Sequence, residues 1–278
     1  MVEHRATMEK PAARERDDES RGTIRSAQHP LLKRMGAILA GNEREACVLE
    51  GDRLVDDALA SKFALEVVLV SAEREDRARE LERRSVRVQR VDDGLLAKKS
   101  ALRASPGIAA IARIPRARQI NELSADKHAL VLVVAGIADP GNLGALARSA
   151  EAAGACALVV VAGTANPFGD KALRGSMGSL LRLPVAPLAD AGTAAKELAA
   201  SGFRLVAAAT RAGSEFTRFD WSGRVALWVG SETGLDPVEM AAFARVTIPM
   251  QGAVESLNIT VAASLLLFAA GRAGGTKP

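Results

Sequence analysis

The segment IPMQGAVESLNITVAASLLLFAAG, residues 248–271, joins two textures that seldom meet. Its second half is almost wholly apolar or small, and Ile259, Val261, Leu265, Leu266, Leu267 and Phe268 suit the buried face of a helix. Its first half sets Glu255, Ser256 and Asn258 directly before that run. Capping is the plainest reading. Ser and Asn side chains accept hydrogen bonds from the free N–H groups of a first helical turn, and a carboxylate favours the positive helix end. An apolar stretch, RVTIPM, precedes the polar group and reads as a strand. Strand, polar turn and apolar helix in succession are units of an α/β fold, whose ligands gather beyond the carboxyl ends of the strands.

The same texture extends upstream to residue 128. ALVLVVAG, CALVVVAG, RLPVAPL, FRLVAAAT and RVALWVG are near-continuous apolar runs, as expected of strands buried on both faces, and helical stretches lie between most of them. Residues 128–278 are therefore expected to form one doubly wound α/β domain. Before it, HPLLKRMGAIL has helical spacing, ACVLEG, LEVVLV and VRVQRV read as short strands, and charged helices separate them. Residues 23–113 thus predict a smaller α/β domain with a partly parallel sheet, joined by an extended linker over 114–127 that Pro115 keeps from being helical. Residues 1–22 mix charges, Pro and Ala without periodicity and read as a disordered tail.

Composition excludes several classes. With 48% hydrophobic and 25% charged residues the chain is an ordinary globular sequence, and its charged opening has no apolar core of a secretory signal. The dozen apolar residues from Ile259 fall short of the ~20 needed to span a bilayer. Cys47 and Cys156 stand far apart, so neither a disulfide framework nor a metal site is indicated, and a reducing cytoplasm is the expected compartment. No GxGxxG, P-loop, HExxH or GxSxG is present, and His4, His29 and His128 are not placed as catalytic bases. The net charge of +4 falls entirely within residues 26–118. Lys98, Lys99, Arg103, Arg113, Arg116 and Arg118 follow one another with no intervening acid, which suits either a solvated face or a strip that binds RNA phosphates.

Two further stretches sit at strand ends. GIADPGNLGALARSAEAAG, residues 136–154, follows a buried strand with a Pro-Gly turn and a helix that Asn142 is placed to cap, with Arg148 two turns in. LWVGSETGLDP, residues 227–237, ends a strand at Gly230 and turns through Glu232 and Gly234, where glycines allow close approach of backbone N–H groups to a ligand.

Together these stretches resemble the SpoU (TrmH) family of RNA ribose 2′-O-methyltransferases. The family pattern is met by Asn142, Gly144, Arg148, Ala152 and Gly154, then by Gly230, Glu232, Gly234 and Leu235, and then by Ile248, Pro249, Met250, Gly252, Ser256, Leu257, Asn258, Thr260, Val261 and Ala262. KALRGSMGSLLRLPV, residues 171–185, also looks like a family segment, and the likeness covers about residues 128–271. Ser231 and Thr233 depart from the frequent Asn and Gly, and Thr260 from the common Ser, which touches the shape of the cofactor loop.

The resemblance implies a trefoil-knotted SPOUT domain that binds S-adenosylmethionine without a metal and works as a homodimer whose sites borrow groups across the interface. No argument from periodicity leads to a knot, since true knots are nearly absent among folds. It implies catalytic roles for Arg148, Asn142, Glu232, Ser256 and Asn258, and a cofactor pocket at Ala209, Thr210, Gly230, Ile248 and Leu257. Residues 23–113 resemble the substrate-binding domain of such enzymes, which favours ribosomal RNA over tRNA as the target. The rival reading is a non-catalytic RNA-binding protein on the same scaffold. Retention of the five polar residues together speaks for the enzyme.

Overall fold

The computed structural model describes residues 22–123, 125–230 and 241–273, and the expected disordered tail lies almost wholly outside them. Residues 1–55 and 65–113 form one compact unit, and residues 56–64 and 114–278 a second.

The first unit is built on a four-stranded sheet. Its elements are α1 (Pro30–Leu39), β1 (Ala46–Glu50), α2 (Asp52–Ala60, shared with the second unit), β2 (Leu65–Ser71), α3 (Glu75–Arg83), β3 (Val88–Val91), α4 (Asp93–Lys99) and β4 (Ile108–Arg113). The sheet order is β1-β4-β2-β3. β4 runs antiparallel to β1 and β2, while β2 and β3 are parallel. α1 starts at Pro30, whose fixed φ suits a first helical position, and the His29 ring nitrogen Nδ1 accepts the Leu31 N–H at 3.3 Å. The buried Leu32, Met35 and Ile38 of α1 meet Val48, Val67, Leu69 and Ile111 of the sheet in one core cluster. The buried Glu50 side chain accepts the Ala101 N–H at 2.9 Å and the Ser100 hydroxyl, so its oxygens are not left unsatisfied.

β4 adds to the sequence reading, which named no strand over residues 108–113 of the small domain. The linker itself is not wholly extended. Residues Ile120–Glu122 form a 3-10 turn, and Ile120 and Leu123 are buried in the core of the second unit.

The second unit carries a seven-stranded sheet in which every neighbouring pair is parallel. In chain order its elements are β5 (Leu130–Ala135), α5 (Pro140–Ala152), β6 (Ala157–Val161), α6 (Asp170–Ser176), α7 (Ser179–Arg182), β7 (Val185–Leu188), α8 (Ala191–Ala200), β8 (Arg204–Ala208), β9 (Ser214–Glu215), β10 (Val225–Gly230), β11 (Ala244–Thr247) and α9 (Ile259–Ala273). Spatially the strands run β7-β6-β5-β10-β8-β11-β9. The chain thus lays β5, β6 and β7 outward in one direction, restarts on the other side with β8, and later fills the gap with β10. All six residues of β5 and all five of β6 are buried, because helices cover both faces. Trp228 of β10 stacks edge-on against Phe243 at 5.3 Å in that core.

Candidate active site

The reversal of strand order leaves the carboxyl ends of β8, β10 and β11 side by side, where a parallel sheet opens a crevice. A cavity of about 300 Å³ occupies it. Ala209, Thr210, Gly230, Ile248 and Leu257, the five expected cofactor residues, all line this one cavity, together with Glu255 and Ser256. Two bonds fix the loops: Ala209 N–H donates to the Val246 carbonyl at 2.8 Å, and the Thr247 hydroxyl donates to the Thr210 carbonyl at 3.4 Å. Gly230 has φ +109°, and a Cβ placed there would lie 2.0 Å from the Ala135 carbonyl oxygen. Only glycine permits that path.

The floor of the cavity is one face of α9. Ile259, Ala262, Ala263 and Leu266 line it, at the i, i+3, i+4 and i+7 spacing of a single helix face. That spacing marks one face of a helix, but nothing in the sequence says that this face meets the cavity. The same helix corrects the expectation of one buried apolar face. Leu266 and Leu267 are buried, but Val261, Leu265 and Phe268 are 50%, 41% and 47% exposed and form an outward stripe.

Polar groups gather where α5 meets α9. Asn258 is the cap: its Oδ1 accepts the Thr260 N–H at 2.9 Å. Ser256 lines the cavity instead of capping. The Thr260 hydroxyl donates to Asn142 Oδ1 at 3.4 Å, which links the first and third motifs through side chains 118 positions apart. Asn142 does not cap α5. Asp139 does, its Oδ1 accepting the Asn142 N–H at 2.7 Å, with Pro140 at the first helical position. A Cβ on Gly144 would stand 2.4 Å from the Ala172 carbonyl oxygen, so α5 and α6 approach more closely than any side chain would allow.

Neither Asn142 nor Arg148 lines the cavity of its own chain. Arg148 is exposed on α5 and has no hydrogen-bond or ion-pair partner among the described residues. Glu232 lies outside the described residues. Of the basic residues, Lys98, Lys99, Arg103 and Arg113 belong to the first unit, and Arg116 and Arg118 to the second. Two of them meet acids brought from elsewhere in the chain: Arg113 pairs with Glu66 at 3.4 Å and Arg116 with Glu122 at 3.5 Å. Among the described residues no three His, Cys, Asp or Glu side chains are grouped to hold a metal.

The profile of the SpoU rRNA Methylase family matches residues 129–268, which span the cavity, the α5–α9 seam and all three motifs. The chain belongs to this family. Among SpoU relatives, the 23S rRNA (guanosine(2553)-2'-O)-methyltransferase RlmP of Bacillus subtilis (strain 168) is 30% identical over 250 residues, covering 88% of this chain and 97% of RlmP. The AdoMet-bound rRNA methyltransferase from Sinorhizobium meliloti superposes with a TM-score of 0.78 at 27% identity, over 90% of this chain and 97% of the other. The SpoU methyltransferase AviRb from Streptomyces viridochromogenes, solved in complex with AdoMet, gives 0.78 at 26% identity, over 88% and 98%. The likeness therefore includes the N-terminal unit as well as the SpoU domain. No helix among the described residues is long and apolar enough to cross a membrane.

Proposed function

We propose that this protein transfers a methyl group from S-adenosylmethionine to a ribose 2′-hydroxyl of ribosomal RNA. The observation that carries the reading is the convergence of Ala209, Thr210, Gly230, Ile248 and Leu257 on one cavity at the carboxyl end of the sheet. Its chemistry suits the cofactor. Small and apolar side chains at strand ends leave backbone groups to read a flat adenosyl moiety, and Gly230 lets the chain turn against Ala135 at the cavity wall. When bound, S-adenosylmethionine supplies a methyl group on a positively charged sulfur, an electrophile that needs no further activation.

The chain's task is then to orient the ribose and stabilise charge on its oxygen. Asn142, with Oδ1 engaged by Thr260, keeps its NH2 group as a donor for the ribose. Arg148 acts as a charged clamp on the adjacent phosphate and on the forming alkoxide, a role that suits the planar fork of donors on a guanidinium. Glu232, Ser256 and Asn258 hold the surrounding loops. Because Asn142 and Arg148 do not line their own chain's cavity, the complete site belongs to a homodimer, with the Val261, Leu265 and Phe268 stripe supplying apolar contact. The basic residues from Lys98 to Arg118 contact RNA phosphates, and the SpoU domain is expected to be knotted.

Incubating the protein with methyl-labelled cofactor and ribosomal RNA, then mapping the label, tests the proposal. Label on a single ribose is the expected result. Label on protein alone, or none, refutes it.

A further inference from the structure

The cavity has one feature that backbone recognition of an adenosyl group does not use. Among its described lining residues Glu255 is the only charged one; Thr210 and Ser256 are neutral, and the remainder are apolar or small. Glu255 is exposed, sits in the loop between β11 and α9, and has no hydrogen-bond or ion-pair partner among the described residues. A carboxylate at the mouth of a site that must approach an RNA polyanion is unfavourable on its own, since like charges in an apolar-walled opening repel. A cation in the cavity reverses that sign.

We propose that Glu255 is a specificity-determining residue that favours the cationic cofactor over its spent product. The inference rests on the cofactor reading above. S-adenosylmethionine carries a sulfonium in addition to the ammonium and carboxylate of its amino-acid end, for a net charge of +1. Methyl transfer moves CH3 from sulfur to the ribose oxygen, the hydroxyl proton leaves to solvent, and the sulfur keeps the electron pair of the broken bond. The product, S-adenosylhomocysteine, is a net-neutral thioether of nearly the same shape. An apolar cavity contacts both alike, so shape alone gives little preference and product would compete with fresh cofactor. A single carboxylate beside the sulfur distinguishes them by charge. Because Glu255 is exposed, the attraction is partly screened and amounts to on the order of 5-fold in affinity at low salt. It acts on the bound cation and weakens as the sulfur loses its charge, so its loss raises the KM for cofactor without lowering kcat at saturation.

Calorimetric titration of the full chain with S-adenosylmethionine and with S-adenosylhomocysteine, for wild type and Glu255→Gln, tests this. The expected result is a loss of about 3–10-fold for S-adenosylmethionine and less than about 2-fold for S-adenosylhomocysteine, with the difference shrinking in ~1 M salt, where the screening length is about 3 Å. Glu255→Lys should invert the preference. An equal loss for both ligands would place the carboxylate against the shared ammonium instead and overturn the inference, as would no change for either. Wild-type protein that binds neither ligand would remove the cofactor reading and this inference with it. Wild-type protein that binds both, with a ratio unmoved by either substitution, would remove this inference alone.

Discussion

At Gly230 the main chain occupies a region that a side chain cannot follow, and the Ala135 carbonyl stands where a Cβ would be. Gly230→Ala should cost about 1–3 kcal/mol from the backbone angle alone, and more from the clash, and should weaken cofactor binding; denaturant melts and calorimetry read the two effects separately. Arg148 presents the opposite case, an exposed side chain whose replacement is cheap for folding. Arg148→Ala should bind cofactor as wild type does and lose on the order of 10²–10³ in turnover, the usual cost of one preorganised donor. Arg148→Lys separates clamp from base. Single-turnover rates that stay low from pH 7 to 10 support the clamp, whereas a steep rise toward high pH would support a base. Gly230 and Ser256 at the cavity and Asn258 as a cap were legible because motif spacing survives without knowledge of the fold. The Thr260–Asn142 bond was not, since its partners come from helices 118 residues apart and only packing brings them together.

Among elements, α9 carries the most. Its inner face lines the cavity, Thr260 and Ser264 face α5, where Ser264 and Ser149 hydroxyl oxygens lie 2.7 Å apart, and its outer stripe is open to solvent. A helix apolar around most of its circumference marks burial on several sides, and the stripe of Val261, Leu265 and Phe268 stays open in a cavity it shares with Phe216, Thr217 and Trp221. Leu265→Lys with Phe268→Lys should leave the fold intact and yield a monomer of low activity by light scattering and assay; an active monomer would count against the shared site. The sequence showed that α9 exists and is apolar, but not which side meets what. β4 escaped notice for a related reason. IAAIAR is small, buried over five of its six residues and without alternation, so no period distinguishes it from a loop, and its value lies in pairing β1 with β2 across the sheet. In the same unit, Arg90 on β3 bridges Glu75 and Glu82 of α3. The guanidinium holds the Glu75 carboxyl down at about 2 and lowers Glu82 as well. Carboxyls depressed in the folded state stabilise it above their ordinary range and lose that contribution as pH falls through the folded values. Arg90→Gln should therefore lower the denaturation midpoint most above pH 5, with the gap closing between about pH 4.5 and 2.

At the scale of the whole chain, charge and topology govern different behaviours. Reversing Arg113, Arg116 and Arg118 to Glu should weaken RNA binding and flatten its dependence on salt, each lost phosphate contact removing close to one unit of slope, while cofactor affinity stays as it was. Filter binding across a salt series reads this directly. Unchanged affinity would mean that the residues only solvate the surface, as the Glu66 and Glu122 ion pairs already allow for two of them. The α/β class and the position of the ligand crevice were readable from buried apolar runs. Strand order was not, because parallel neighbours are chosen by crossovers that leave no local mark. That order has a consequence for how the protein comes into being. β5 is flanked by β6, made soon after it, and by β10, which begins 95 residues later, at Val225 rather than Leu130. At a synthesis rate of roughly 5–20 residues per second, one edge of β5 waits roughly 5–20 s on the ribosome with its backbone groups unpaired. Such long-range parallel pairing is slow to form even from the complete chain. The newborn polypeptide thus passes through an interval in which a half-built, adhesive sheet edge must be shielded, and cellular yield at high temperature should depend on chaperone supply more steeply than the stability of the finished protein would suggest.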